Sequence, residues 1–103
     1  MSSTQNLETI TIFHQLKAKG VEEDVALMAQ KTAVTIFNRR SVRKRYIFSD
    51  LAQNYHYQHP SDMIRLQADV DDSIRVLEDC GFVRFVNGKY ELTEKGQASF
   101  AYK

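Results

Sequence analysis

The chain of 103 residues is 43% hydrophobic and 26% charged, and its formal net charge is +1. That composition is typical of one small globular domain and excludes a disordered tail. No apolar run approaches the ~20 residues that a helix needs to cross a bilayer, and the first residues lack the pattern of a signal peptide. The single cysteine, Cys80, excludes an internal disulfide. We therefore expect a cytoplasmic protein with no membrane segment.

Two helices are expected within residues 6–40, after a flexible N-terminus at residues 1–5. In the first, over residues 6–19, apolar side chains recur at three-residue spacing, and Gly20 ends the segment. The recurring residues are Leu7, Ile10, Phe13 and Leu16. The second helix is expected over residues 22–38 because acidic residues open it, which suits the N-terminal end of a helix dipole.

The second helix has more apolar surface than one packed face requires. Leu27 and Val34 lie away from the centre of its main apolar stripe. Such surplus surface is either covered within the fold or shared with another subunit. We expect a homodimer formed through these N-terminal helices. Residues 32–37 are also rich in strand-favouring side chains, which leaves a strand open as the alternative there.

Positive charge is concentrated in residues 39–45, which we call the basic segment. Five of its seven residues are cations. They are Arg39, Arg40, Arg43, Lys44 and Arg45. Such a cluster creates a local field that attracts the phosphates of a nucleic acid. The alternative is a solvated helix end, where cations offset the negative end of the helix dipole.

The middle of the chain is predicted to form a short strand at residues 46–48, followed by a helix that Ser49 caps. A turn region then extends over residues 54–60. The next helix begins at Ser61 or is capped again near Asp69, and the sequence favours neither.

A continuous apolar stripe identifies that next helix. The stripe consists of Met63, Leu66, Val70, Ile74 and Leu77. The opposite side has one cation, Arg65, among several carboxylates, which include Asp69, Asp72 and Asp79.

A glycine stop and a β-hairpin follow the helix. Gly81 can close the last helical turn with a positive φ. Asn87 and Gly88 form the pair that best tolerates positive φ at both centres of a two-residue turn. Apolar and charged residues alternate on the return strand, and Thr93 can cap a further helix.

This order of helix, glycine, hairpin and Leu-Thr-Glu-Lys-Gly at residues 92–96 resembles the second half of a winged helix-turn-helix domain. The resemblance is closest to MarR-like and PadR-like bacterial transcriptional regulators, and it covers residues 46–98. It implies a mainly α fold with a small β-hairpin (α+β), in which a two-helix N-terminal extension precedes the winged helix within a single domain of residues 1–103. It also implies a recognition helix that ends near residues 77–83 and a wing.

The function that this resemblance implies is regulation of transcription through binding to double-stranded DNA. On this interpretation the basic segment and the wing contact phosphates, and the recognition helix adds selectivity. The predicted DNA-binding residues are Arg39, Arg40, Arg43, Lys44, Arg45, Arg65, Gln67, Arg75, Arg84 and Lys89. Carboxylates on the recognition helix would repel phosphates. The alternative is therefore an adaptor module whose acidic helix binds a basic protein partner, since winged helices also bind proteins.

Other chemistry has little support in the sequence. His56 and His59 supply two imidazoles, whereas a metal site usually requires three or four ligands. The glycines are scattered, so there is no glycine-rich phosphate loop. We expect no enzyme activity, no metal and no cofactor.

Overall fold

The computed structural model describes residues 11–54 and 59–100, which form helices and three short strands. The helices are α1 (Ile12–Ala18), α2 (Glu23–Arg39), α3 (Lys44–Asn54), α4 (Pro60–Asp79) and α5 (Glu94–Ala98). The strands are β1 (Ser41–Val42), β2 (Val83–Val86) and β3 (Lys89–Leu92). They form one antiparallel sheet in the order β1-β3-β2. The predicted α+β class is confirmed.

Thr11 precedes the first helix of the described residues. Thr11 has an extended backbone (φ −81°, ψ 167°), and its hydroxyl accepts a hydrogen bond of 3.2 Å from the His14 amide. This N-cap begins α1 at Ile12, so the prediction of one continuous helix over residues 6–19 is wrong at Thr11. Leu7 and Ile10 lie outside the described residues.

Helix α2 agrees with its prediction to within one residue, and it packs against α1, α3, α4 and the sheet. Its inward side consists mainly of small residues, which allow the other elements to approach closely. The fully buried ones are Ala26, Ala29, Thr32 and Ala33. Residues 32–37 are helical, so the strand alternative is wrong. The Thr32 hydroxyl donates to the Met28 carbonyl at 2.8 Å, a bond that satisfies a buried polar group within the helix.

Residues 46–48 lie inside a helix, so the predicted strand there is wrong. The Arg43 carbonyl accepts hydrogen bonds from the amides of Tyr46 and Ile47, which begins α3 at Lys44. Ile47 and Leu51 are both buried, four residues apart on the side of α3 that faces the core. That burial outweighs the strand propensity of the local sequence. Ser49 lies in the middle of α3, so its prediction as a cap is also wrong.

Helix α4 is continuous from Pro60 to Asp79, which settles where it begins. The predicted apolar stripe is confirmed, because Leu66, Val70, Ile74 and Leu77 are buried and Met63 packs against them half-buried. The turn before α4 is predicted at residues 54–60, and four of its residues, 55–58, lie outside the described part of the chain.

The glycine stop and the hairpin are confirmed. Gly81 has a φ of +81°, and the Phe82 amide donates to the Leu77 carbonyl at 2.9 Å, which closes the end of α4. Asn87 and Gly88 have φ values of 53° and 80°, as a two-residue hairpin turn requires. The sequence did not predict β1, which extends the hairpin to three strands by pairing with β3. Within residues 11–54 and 59–100, no helix combines the length and the apolar character needed to span a membrane.

Candidate nucleic-acid interface

The basic segment connects α2 to α3 and includes strand β1. Arg40 ends α2 with φ 71° and ψ −54°, and its amide donates to the Ile36 carbonyl. A positive φ is uncommon for a residue with a Cβ atom. At Arg40 it turns the chain out of the helix, so that Ser41 and Val42 can pair with Glu91 and Tyr90. The cations therefore lie along the short connection from α2 to α3, beside the sheet.

Arg39 forms a bidentate ion pair with Asp50 of α3. Its Nε donates to Asp50 Oδ2 at 2.5 Å, and its Nη2 donates to Asp50 Oδ1 at 2.9 Å. The hydrogen bond to Asp50 raises the pKa of Arg39, and the carboxylate charge raises it further. Arg39 thus connects the end of α2 to α3, and its positive charge is offset locally.

Lys44 forms an ion pair with Asp71 in the middle of α4. The distance from Lys44 Nζ to Asp71 Oδ1 is 2.8 Å, and both side chains are partly exposed. The hydrogen bond to Asp71 raises the pKa of Lys44, with smaller contributions from the charges of Asp71, Tyr90 and Glu78. Lys44 therefore joins the start of α3 to α4.

The other three cations of the basic segment are exposed and have no carboxylate partner among residues 11–54 and 59–100. They are Arg40, Arg43 and Arg45. The Arg45 guanidinium lies over the Tyr46 ring at 4.9 Å from its centroid, and its Nη2 donates to the Tyr46 hydroxyl at 3.2 Å. These arginines flank the N-terminal end of α3, whose first turn contains no acidic residue. Backbone amides and the helix dipole at such an end attract anions.

Helix α4 is divided by charge. Residues 60–68 include one carboxylate, Asp62, and one cation, Arg65. The remainder of the helix contains one cation, Arg75, and five carboxylates, namely Asp69, Asp71, Asp72, Glu78 and Asp79. Arg75 lies 3.4 Å from Asp72, one helical turn away, so its charge is offset as well. Arg65 and Gln67 are exposed in the less acidic half.

The wing contributes two predicted cations with different surroundings. Arg84 Nε donates to Glu91 Oε2 at 2.6 Å across the hairpin. Lys89 follows the turn directly, is exposed and has no ion pair within the described part of the chain. On the opposite side of the hairpin, the rings of Phe85 and Tyr90 lie with their centroids 4.7 Å apart.

The ten predicted DNA-binding residues thus fall into two groups. Four of them each form an ion pair with a carboxylate, namely Arg39, Lys44, Arg75 and Arg84. The other six have no ion pair to a described residue. They are Arg40, Arg43, Arg45, Arg65, Gln67 and Lys89. The carboxylate partners of the four paired cations were not predicted from the sequence. Two of the pairs had a local signal, since Asp72 and Arg75 are one helical turn apart and the hairpin turn places residue 84 opposite residue 91.

Among the described residues, no group of three or more His, Cys, Asp or Glu side chains could hold a metal ion. His59 is the exposed N-cap residue of α4, and His56 lies outside the described residues. Comparisons with protein-family models, with curated proteins and with solved structures found no match to this chain.

Proposed function

We propose that this protein is a small winged helix-turn-helix regulator that binds double-stranded DNA. The observation that carries the proposal is the element order α2, β1, α3, α4, β2, β3, with β1 paired to β3. This is a short strand, a first helix, a longer helix and a hairpin, which is the order that the sequence resemblance implies. On this assignment α3 is the positioning helix, α4 is the recognition helix and the β2–β3 hairpin is the wing.

The phosphate contacts are assigned to the cations that have no carboxylate partner among the described residues. Arg40, Arg43 and Arg45 lie beside the N-terminal end of α3, where backbone amides add to the positive potential. Lys89 supplies a cation at the wing. Arg39 and Lys44 have a different role, because their ion pairs position the basic segment against α3 and α4.

The first test is the salt dependence of duplex binding. For a DNA-binding protein, affinity falls as salt rises, with a log-log slope of about −0.9 per phosphate neutralised. Replacing Arg43 and Arg45 together by Ala should weaken binding to every sequence and flatten that slope by about two units. The matched control replaces Lys17 and Lys19, two exposed cations at the end of α1, and should leave the slope unchanged. Wild-type binding no tighter than a nonspecific ~10⁻⁴ M at physiological salt would contradict the proposal.

The proposed assembly is a homodimer formed through the outward side of α2. Leu27 and Val34 are 45% and 36% exposed and lie two helical turns apart on one side of the helix. A two-fold protein matches the two half-sites of a two-fold DNA site. Leu27→Glu should dissociate the dimer, because a charge inside an apolar seam is costly. Sedimentation measures the change, and a wild-type monomer at tens of micromolar would rule out the dimer.

A second candidate function is binding to a basic protein, and the charge of α4 favours it. Five carboxylates between Asp69 and Asp79 make this half of the helix a surface that repels phosphates and attracts cations. Asp69→Asn with Asp72→Asn separates the two functions. The double variant should bind duplex DNA more tightly than wild type if α4 faces DNA, whereas binding to an oligolysine peptide should weaken if α4 faces a basic partner.

A further inference from the structure

Ile64 is the most exposed large hydrophobic residue of the described chain. Its exposed fraction is 71%, and it lies in the first half of α4. It contributes nothing to the core, because residues two apart on a helix point to nearly opposite sides and its neighbour Leu66 is fully buried. Ala68 is one turn further along and exposed on the same side. Together they form a small uncharged patch opposite the buried stripe of α4.

The residues around this patch suit contact with DNA better than the residues elsewhere on α4. Five of the six carboxylates of the helix lie from Asp69 onward, after the patch. Asp62 precedes Ile64 by two residues and so projects from about the opposite side of the helix. Arg65 and Gln67, which can bond to base edges or phosphates, flank the patch.

The end of α4 nearest to the patch is also the positive end of the helix dipole. His59 is the N-cap residue, and its side chain makes no capping hydrogen bond; Pro60 has no amide, so Ser61 and Asp62 carry the first-turn amides that face this end. Recognition helices place their N-terminal residues against base edges. The patch is therefore on the part of α4 that can enter a major groove without bringing most of the carboxylates against the backbone.

The chemistry of the patch selects one feature of the major groove. Each base pair presents donors and acceptors there, and the only apolar group is the 5-methyl of thymine. A β-branched side chain on a helix has one strongly preferred rotamer, so Ile64 loses little conformational freedom when it is covered. The small side chain of Ala68 allows close approach. We propose that Ile64 and Ala68 contact thymine methyl groups, so that the protein prefers thymine-bearing sites. This inference rests on the proposed DNA-binding function.

Four duplexes of equal length test the inference, with binding measured at one fixed salt concentration. One contains only A·T pairs, and the second is the same duplex with deoxyuridine in place of thymidine, which removes only the methyl groups. The third contains only G·C pairs, and the fourth carries 5-methylcytosine, which adds methyl groups in the major groove. Wild-type affinity should be lower for the second duplex than for the first. The expected decrease is about fourfold for each methyl group that the patch no longer contacts, because burying one CH₂ group contributes about that factor to affinity. Wild-type affinity should rise from the third duplex to the fourth.

Variants at Ile64 assign the effect to this side chain. Ile64→Ala should bind the A·T duplex and its deoxyuridine counterpart nearly equally, and Ile64→Val should keep part of the preference. Phe37→Ala, at an exposed apolar residue of α2 outside the proposed DNA contacts, is the control and should keep the wild-type ratio. Because Ile64 is largely exposed, its variants should unfold at the wild-type temperature, which a thermal melt checks.

The outcomes separate this inference from the proposed function. Equal wild-type affinity for the A·T and deoxyuridine duplexes, in a protein that binds both, would overturn the methyl recognition and leave DNA binding intact. An unchanged ratio in Ile64→Ala would also overturn it. If none of the four duplexes binds, both the proposed function and the inference fail.

Discussion

The hairpin with α5 and the basic segment are held in place by different interactions. At the hairpin, Thr93 donates from its amide to the Phe82 carbonyl at 3.0 Å and from its hydroxyl to the Gly81 carbonyl. Gly96 lies so close to Phe82 that no side chain fits between them. The basic segment joins the sheet through the two residues of β1, and the cations at its two ends, Arg39 and Lys44, are attached by side-chain ion pairs at the surface.

Because of this difference, changes in the two regions should affect different properties of the protein. Buried backbone contacts have no freedom to adjust, so a change there lowers the free energy of unfolding. Ion pairs between partly exposed side chains contribute little to stability because water and salt screen them. They do determine which cations are available to a polyanion. We therefore expect variants of the hairpin region to lose stability, and variants of the basic segment to change binding.

The largest expected effect is that of Gly96→Ala. A Cβ atom at this position would lie 2.2 Å from the Phe82 carbonyl oxygen, a backbone atom that cannot move independently. We expect the free energy of unfolding to fall by about 3 kcal/mol, measured by denaturant titration.

The matched control is Gly88→Ala at the hairpin turn. A Cβ there meets no atom within 4 Å, although its φ of +80° strains a residue with a side chain. The cost should be about 1–2 kcal/mol. If Gly96→Ala were as stable as wild type, the close approach of α5 to Phe82 would be incorrect. If Gly88→Ala were the more damaging of the two, turn strain and not packing would dominate this region.

The smallest expected effect is that of Lys44→Met, which removes the ion pair with Asp71. At neutral pH the loss should be a few tenths of a kcal/mol, because both side chains are partly exposed. The pKa of Lys44 is raised in the folded protein. The ion pair therefore contributes fully to the free energy of unfolding below the pKa of lysine in the unfolded chain, about 10.4. This contribution is lost as the pH rises through the higher pKa of Lys44 in the folded protein.

Denaturant titrations of wild type and Lys44→Met at neutral and strongly alkaline pH measure this difference. The gap in unfolding free energy should narrow at alkaline pH, and added salt should reduce it at neutral pH. Lys89→Met is the control, since Lys89 is exposed without an ion pair to a described residue. Its unfolding free energy should equal that of wild type. A neutral-pH loss of several kcal/mol would mean that the basic segment is held as rigidly as the hairpin.

The candidate site was predictable only in part. The concentration of cations in residues 39–45 is visible in the sequence, and three of them have no ion pair to a described residue. The pairing of Arg39 with Asp50 and of Lys44 with Asp71 was not predictable, because those partners lie 11 and 27 positions away along the chain. Ile64 was also missed. It lies opposite the apolar stripe of α4, and its exposure is meaningful only once the stripe is known to be buried.

Short-range rules specify the hairpin and the stop of α4. Positive φ at Gly81, Asn87 and Gly88 is a property of the individual residues, and a two-residue turn sets the strand register without further help. Helix α3 and strand β1 follow from long-range packing. Residues 46–48 favour a strand locally, but burial of Ile47 and Leu51 requires helical spacing. Ser41 and Val42 are a strand only because β3 lies beside them, since a strand of two residues has no hydrogen-bond partners of its own.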